Sequence, residues 1–200
     1  MADFQNFGTH TRCIVAIGAS GGQGLADIRE LLGELPATIA GIFMVVLHRP
    51  WNDSSHHLHA ILTAATALPV IIAADDEHLE AGTVYVGEPS RHITLRAHRC
   101  CEVIDDPDRK YGNRTIDLLL KSVAAHAGPQ MIGVILSGSL DDGSRGLAAI
   151  HDAGGITMVR SPSNSPWDGM PKNAISFGSP VDLIGDFRAI ARGICAACAV

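Results

Sequence analysis

Cys13-Ile-Val-Ala-Ile-Gly-Ala-Ser20-Gly-Gly-Gln-Gly24, continued by Leu25-Ala-Asp-Ile-Arg-Glu-Leu-Leu32, decides the fold. An apolar, β-branched run stops at Gly18, four glycines fall within seven residues, and apolar positions then recur at helical spacing. Strand, tight turn and helix follow from that order. Ser20 sits inside the turn, at the carboxyl end of the strand and the amino end of the helix. Free backbone N–H groups and the positive end of the helix dipole meet there, which suits a phosphate or a developing oxyanion.

The rest of the chain repeats the theme. Gly41-Ile-Phe-Met-Val-Val-Leu47 is an unbroken apolar run, typical of a strand buried on both faces, and it ends at His48-Arg-Pro50. Asn52-Asp-Ser-Ser55 offers N-caps for a helix to about Ala67, and Leu68–Ala74 reads as a further strand. Gly82-Thr-Val-Tyr-Val-Gly87 and His92-Ile-Thr-Leu-Arg96 read as two short strands of a hairpin around Glu88–Arg91, followed by a long loop over 97–114. Thr115–Ala127 has helical period, Met131–Leu136 is the third strong strand, and Ser144–Asp152 is a helix. Gly155–Arg160 is a strand, 161–171 a Ser/Pro/Asn-rich loop, 173–177 a short helical segment and 183–196 a closing helix. Residues 1–12 read as an irregular lead-in. The alternation specifies an α/β fold: a doubly wound, mostly parallel sheet with helices on both faces and a small antiparallel hairpin excursion.

Bulk composition narrows the function classes. Two hundred residues at 46% hydrophobic content support one sizeable core, and 4% aromatics leave Val, Ile, Leu and Ala to fill it. A formal net charge of −6 without a basic cluster argues against nucleic acid. No apolar run approaches the roughly 20 residues that span a bilayer, and the amino terminus lacks the basic and apolar regions of a secretion signal. Five cysteines without a regular framework fit a reducing compartment, hence the cytoplasm. Cys195-Ala-Ala-Cys198 has redox spacing but no second pair and reads as an incidental helix end. His56 and His59 share a helix face without further ligands nearby, so a solvated face explains them and no metal is called for.

Two chemistries compete for the Ser20 turn. Gly18-x-x-x-Gly22-x-Gly24 resembles the glycine signature of NAD(P)-binding short-chain reductases. That family closes its second strand with an acidic residue, where this chain has His48, and uses Tyr-x-x-x-Lys, whereas Tyr85 is followed by Pro89 and Tyr111 by Thr115. The alternative is acyl transfer by a serine nucleophile, which needs a histidine to take its proton and a carboxylate to orient the imidazole. In a doubly wound sheet the carboxyl ends of parallel strands share one edge. Ser20 ends the first strong strand, His48 ends the second, and Asp141 and Asp142 follow the third. Turn serines, packed strand-end histidines and Asp-Gly turns are each common for structural reasons; their joint placement favours the hydrolase.

At these residues the chain resembles the catalytic domain of the chemotaxis protein-glutamate methylesterases (the CheB type), over roughly residues 13 to 190. The resemblance rests on Gly18-Ala-Ser20-Gly-Gly22, on Val-Val-Leu-His48-Arg-Pro50, and on Gly82-Thr-Val-Tyr-Val86 with Arg91-His92 after it. Ser137-Gly-Ser-Leu-Asp-Asp142-Gly-Ser-Arg-Gly146 and Gly169-Met-Pro171 complete it. The family's Met-Gly before the acidic pair is here Ser139-Leu140. The resemblance implies Ser20 as nucleophile, His48 as general base and Asp142, rather than Asp141, as orienting carboxylate. It also implies oxyanion donors at the backbone N–H of Gly21 and near Ser139, and no metal or organic cofactor. Its substrates are glutamyl methyl esters on the cytoplasmic helices of chemoreceptors, and similar enzymes deamidate glutamine there. Loops 97–114 and 161–171 are then expected to wall the cleft, with Met170 and Trp167 either as apolar contacts or as core packing.

Family members usually carry a phosphorylatable receiver domain in front. About twelve residues precede the first strand here, so the chain reads as one catalytic domain over 1–200, with its core at about 12–192 and no receiver domain. A separate receiver domain or a histidine-kinase component is then a candidate regulator. A non-catalytic signalling scaffold of the same fold is the alternative that Ser139-Leu140 leaves open.

Overall fold

A computed structural model of the chain describes residues 13–50 and 53–199. The expected irregular lead-in over 1–12 lies outside the described residues. In chain order the elements are β1 (Ile14–Ser20), α1 (Gly21–Gly33), β2 (Ile42–His48), α2 (Ser55–Thr63), β3 (Val70–Ile72), β4 (Thr83–Val86) and β5 (Arg91–Arg96). After a 3₁₀ turn come β6 (Cys100–Asp105), α3 (Thr115–His126), β7 (Met131–Ile135), α4 (Ser144–Asp152), β8 (Ile156–Arg160), α5 (Gly169–Ser176), β9 (Leu183–Gly185) and α6 (Phe187–Cys198).

Seven strands form one parallel sheet in the order β3-β4-β2-β1-β7-β8-β9. β1 lies at the centre, and the chain winds from it first to one side and later to the other. The crevice at such a reversal, outside the carboxyl ends of the strands, is where open α/β sheets place their sites. Two apolar clusters cover the sheet. Val15, Ile17 and Ala19 of β1 pack with Ile28 and Leu32 of α1, Leu62 of α2 and Ile190 of α6. Ile14 and Ala16 face the other way, against Ile116 and Leu120 of α3, Leu147 of α4 and Met170 of α5. This alternation is the period of a strand buried on both faces.

The glycines of the opening stretch serve close approach. A Cβ at Gly18 would lie 2.2 Å from Ile116 Cγ2, and one at Gly24 would crowd Ala19. Gly18 therefore sets how near α3 sits to the sheet, and Gly24 how near α1 sits.

Four sequence expectations are corrected. Thr83–Val86 is not half of a hairpin: all four residues are buried, and β4 pairs in parallel with both β2 and β3. The hairpin is β5 with β6, Arg91↔Asp105 to Arg96↔Cys100, which replaces the first part of the loop expected over 97–114. Short alternating runs carry no label for their partner, and nearness in sequence does not make two of them a pair. The closing segment also divides: Leu183–Gly185 is an edge strand beside β8, and Asp186 then caps α6 by accepting a hydrogen bond from the Ala189 N–H at 2.8 Å. Cys198 is still helical and packs with the apolar cluster under α1, and is not an incidental frayed end.

Candidate active site

β1 and β2 run in parallel with Ser20 directly opposite His48. Their neighbours Ala19 and Leu47 pack on the α1 side, so Ser20 and His48 project from the opposite face, toward α3. Ser20 has extended backbone angles, and Gly21 follows at φ +70, a left-handed turn that glycine makes without strain. The serine makes no side-chain capping bond to α1. A cleft of about 420 Å3 opens here, with Ser20, Gly21, Gly22, His48 and Thr115 in its lining.

Asp142 arrives from the loop after β7. His48 Nε2 lies 2.6 Å from Asp142 Oδ2 and 2.8 Å from the Thr115 hydroxyl. A carboxylate only accepts, so Nε2 carries the proton and Nδ1 keeps the lone pair. Asp142 is buried, and its oxygens also accept hydrogen bonds from the backbone N–H groups of Ile116 and Asp117, both at 2.8 Å. It thus caps α3, whose own N-cap residue, Arg114, gives no side-chain cap. Asp117 returns the service: its Oδ1 accepts from the N–H groups of Gly143 at 3.1 Å and Gly146 at 2.8 Å, capping α4. Each helix start is closed by a carboxylate from the other, which locks the Asp142 carboxylate and the start of α3 into one rigid piece. The hydrogen bonds of the imidazole go to Asp142 and Thr115 and not to Ser20. Contacts of a catalytic serine are often loose until substrate arrives.

Beside Ser20 the turn after β7 is held from behind. Ser20 N–H donates to Ser137 O at 2.8 Å, and Ser137 N–H donates to the buried Asp27 at 3.1 Å. A Cβ on Gly138 would stand 2.9 Å from Ser20 Cβ and collide with Met170 Sδ, so only glycine lets this turn pass. Neither Ser139 nor Leu140 has a positive φ, so the non-glycine pair costs no backbone strain. Ser139 is exposed and lies outside the lining of the cleft, while Gly21 is within it.

The walls differ from expectation. Arg109, Gly112 and Asn113 line the cleft, as the expected 97–114 wall requires, but no residue of 161–171 does. The second wall is the turn between β4 and β5, including Gly87 and Pro89, together with His92 of β5. Met170 is buried under Gly138 and is a core residue, and Trp167, half exposed, is not in the lining. His92 anchors the 106–112 segment: its Nε2 meets Asp106 Oδ2 at 2.9 Å, and Asp106 accepts from the N–H groups of Lys110 and Tyr111. Burial pushes the Asp106 carboxyl up, but the His92 ring and those two amides outweigh it and hold it below its ordinary value.

Thr115 and Asp117 were missed. A Thr and an Asp in the first turn of a helix read as local capping; that they reach across to His48 and to α4 depends on how α3 packs beside α4. Among the described residues no group of three or more His, Cys, Asp or Glu could hold a metal ion, and His59 contacts Val70 O at 2.8 Å instead.

Known proteins share this fold. The family model described as CheB methylesterase matches residues 15–194. A protein-glutamate methylesterase/protein-glutamine glutaminase of Cupriavidus pinatubonensis is 33% identical over 194 residues, covering 92% of this chain and 53% of that protein. One from Anaeromyxobacter dehalogenans is 37% identical over 179 residues, covering 86% and 49%. The chain spans about half the length of the curated relatives it matches. The crystal structure of the Thermotoga maritima CheB methylesterase catalytic domain superposes with a TM-score of 0.82 at 26% identity, over 92% of this chain and 98% of that one.

Proposed function

The chain belongs to the CheB methylesterase family, and on that premise we propose that it is a serine hydrolase of glutamyl methyl esters on chemoreceptor proteins. Ser20 is the nucleophile, His48 the general base and Asp142 the orienting carboxylate. Ser20 Oγ attacks the ester carbonyl while Nδ1 of His48 takes its proton. Asp142 and Thr115 hold the ring by Nε2 and steady the imidazolium that forms. The tetrahedral oxyanion is met by the Gly21 N–H at the start of α1. Methanol leaves with the proton from His48, and a water deprotonated by the same ring releases glutamate and regenerates Ser20. A glutamine side chain passes through the same intermediate with ammonia as leaving group.

The observation that carries this reading is the pairing of His48, directly opposite Ser20 on the adjacent strand, with the buried carboxylate of Asp142. The chemistry needs no cofactor. The substrate places the protein in the cytoplasm, where receptor helices present such esters; among the described residues no helix is long and apolar enough to cross a membrane. Regulation of this catalytic domain by a receiver domain or a histidine-kinase component is part of the proposal.

Methanol release from a receptor peptide bearing a glutamyl methyl ester tests the proposal. Wild-type protein is expected to release methanol well above the buffer blank, and His48→Ala to lose at least about 10²-fold of that rate. Equal release from both proteins, or none from wild type, rejects the hydrolase and leaves the scaffold.

A further inference from the structure

The cleft at Ser20 shares Arg49, Pro89, His92, Arg109 and Gly112 with an adjoining chamber of about 560 Å3. Two guanidinium groups border this space. The Arg49 side chain is 5% exposed, and its Nη2 donates to Gly87 O at 3.1 Å and to Ser55 Oγ at 3.2 Å. Its Nη1, equally buried, has no hydrogen-bond acceptor among the described residues. The nearest carboxylate, Asp53, stands 3.6 Å away and is 40% exposed. Arg109 is exposed, sits at φ +56, and takes part in no ion pair among the described residues.

The acidic groups around this space are already engaged. Asp106 spends its oxygens on His92 and on the N–H groups of Lys110 and Tyr111. Glu88 and Asp105 both pair with Arg91. A buried guanidinium N–H without an acceptor is costly, and a carboxylate oxygen satisfies it best. The chamber therefore lacks what a ligand can bring: an anionic group with oxygens to accept.

We propose that Arg49 and Arg109 form a subsite for an acidic side chain of the substrate, next in space to the ester held at Ser20. The subsite rests on the hydrolase reading and deepens it: the preferred substrate carries a carboxylate on the same peptide as the scissile ester. Arg49 offers Nη1, whose 3.6 Å ion pair with the half-exposed Asp53 leaves it without a hydrogen-bond acceptor among the described residues, and Arg109 adds charge from the rim. The carboxylate then draws the ester toward Ser20 and acts chiefly on KM.

Two matched peptides test this, each with one glutamyl methyl ester, flanked on both sides by glutamate in one and by glutamine in the other. Wild type is expected to favour the acidic peptide by roughly tenfold in kcat/KM, through KM, with the preference shrinking as salt rises. Arg109→Gln is expected to bring the ratio toward one, and Arg109→Glu to push it below one. A purely structural arginine would not produce that inversion. Because Arg49→Gln can unfold the chain, Arg49→Lys is measured beside it, with thermal unfolding of both. Hydrolysis of p-nitrophenyl acetate by wild type, which reports Ser20 chemistry without any acidic group, separates the two possible failures. No hydrolysis of that ester overturns the hydrolase reading. Hydrolysis of it together with equal kcat/KM for the two peptides, or a ratio indifferent to Arg109→Glu, overturns the subsite alone.

Discussion

Ser20→Ala is expected to abolish turnover of the glutamyl methyl ester, with kcat falling on the order of 10⁶-fold, as when the nucleophile of a catalytic triad is removed. The fold should hardly notice. Serine at a helix start usually contributes through its capping bond, but this hydroxyl makes none, and removing it creates no cavity of consequence. Stability is therefore expected within about 0.5 kcal/mol of wild type. Steady-state methanol release beside a thermal melt checks both halves. A variant that kept a tenth of the wild-type rate would remove Ser20 from the mechanism.

Asp142→Asn is expected to damage both activity and stability, for one reason. The carboxylate accepts three hydrogen bonds, from His48 Nε2 and from the backbone N–H groups of Ile116 and Asp117, across its two oxygens. An amide offers one oxygen and turns the other position into a donor. If the NH₂ faces Asp117, two buried donors oppose each other and α3 loses half its cap. If it faces His48, the ring must switch tautomer, Nδ1 gains the proton, and it can no longer accept one from Ser20. We expect kcat to fall by about 10⁴-fold and stability by about 1–3 kcal/mol, which lowers Tm by roughly 2–12 °C for a chain of this size. Kinetics at saturating ester together with calorimetry decide the matter. A full rate with a lowered Tm would make Asp142 a structural cap only.

What the sequence discloses here follows what local chemistry determines. The β1–α1 turn was legible because Gly18, Gly21 and Gly24 interrupt an otherwise apolar pattern at spacings only a tight turn uses. Once a parallel sheet was inferred, Ser20 and His48 were legible as neighbours, because each ends an apolar run and the runs end on one edge. The β5–β6 hairpin was not: Thr83–Val86 and Arg91–Arg96 are both short runs with four consecutive buried residues, and only the parallel pairing of β4 with β2 and β3 shows which belongs in the sheet. Thr115 and Asp117 were hidden for a related reason. Their partners lie 67 residues away at His48 and 26 to 29 away at Gly143 and Gly146, and no spacing rule links them. The 161–171 loop was misjudged as a wall of the cleft because a Pro- and Ser-rich segment with an aromatic looks mobile and exposed. In the structure its Asp168 is buried, pairs with Arg160 at 3.1 Å and accepts the N–H groups of Ser163 and Ser165, so the loop is pinned behind the site.

Whether Ser20 and His48 act as one chemical unit is best measured without a receptor at all. Wild type and His48→Ala are treated with a fluorophosphonate that modifies only activated serines, and the adduct is mapped by peptide mass spectrometry. A coupled pair gives one adduct per chain, on Ser20, formed at least about 10²-fold faster in wild type than in the variant. An adduct on any other serine, or equal rates with and without the imidazole, would contradict the assignment of these residues as nucleophile and base.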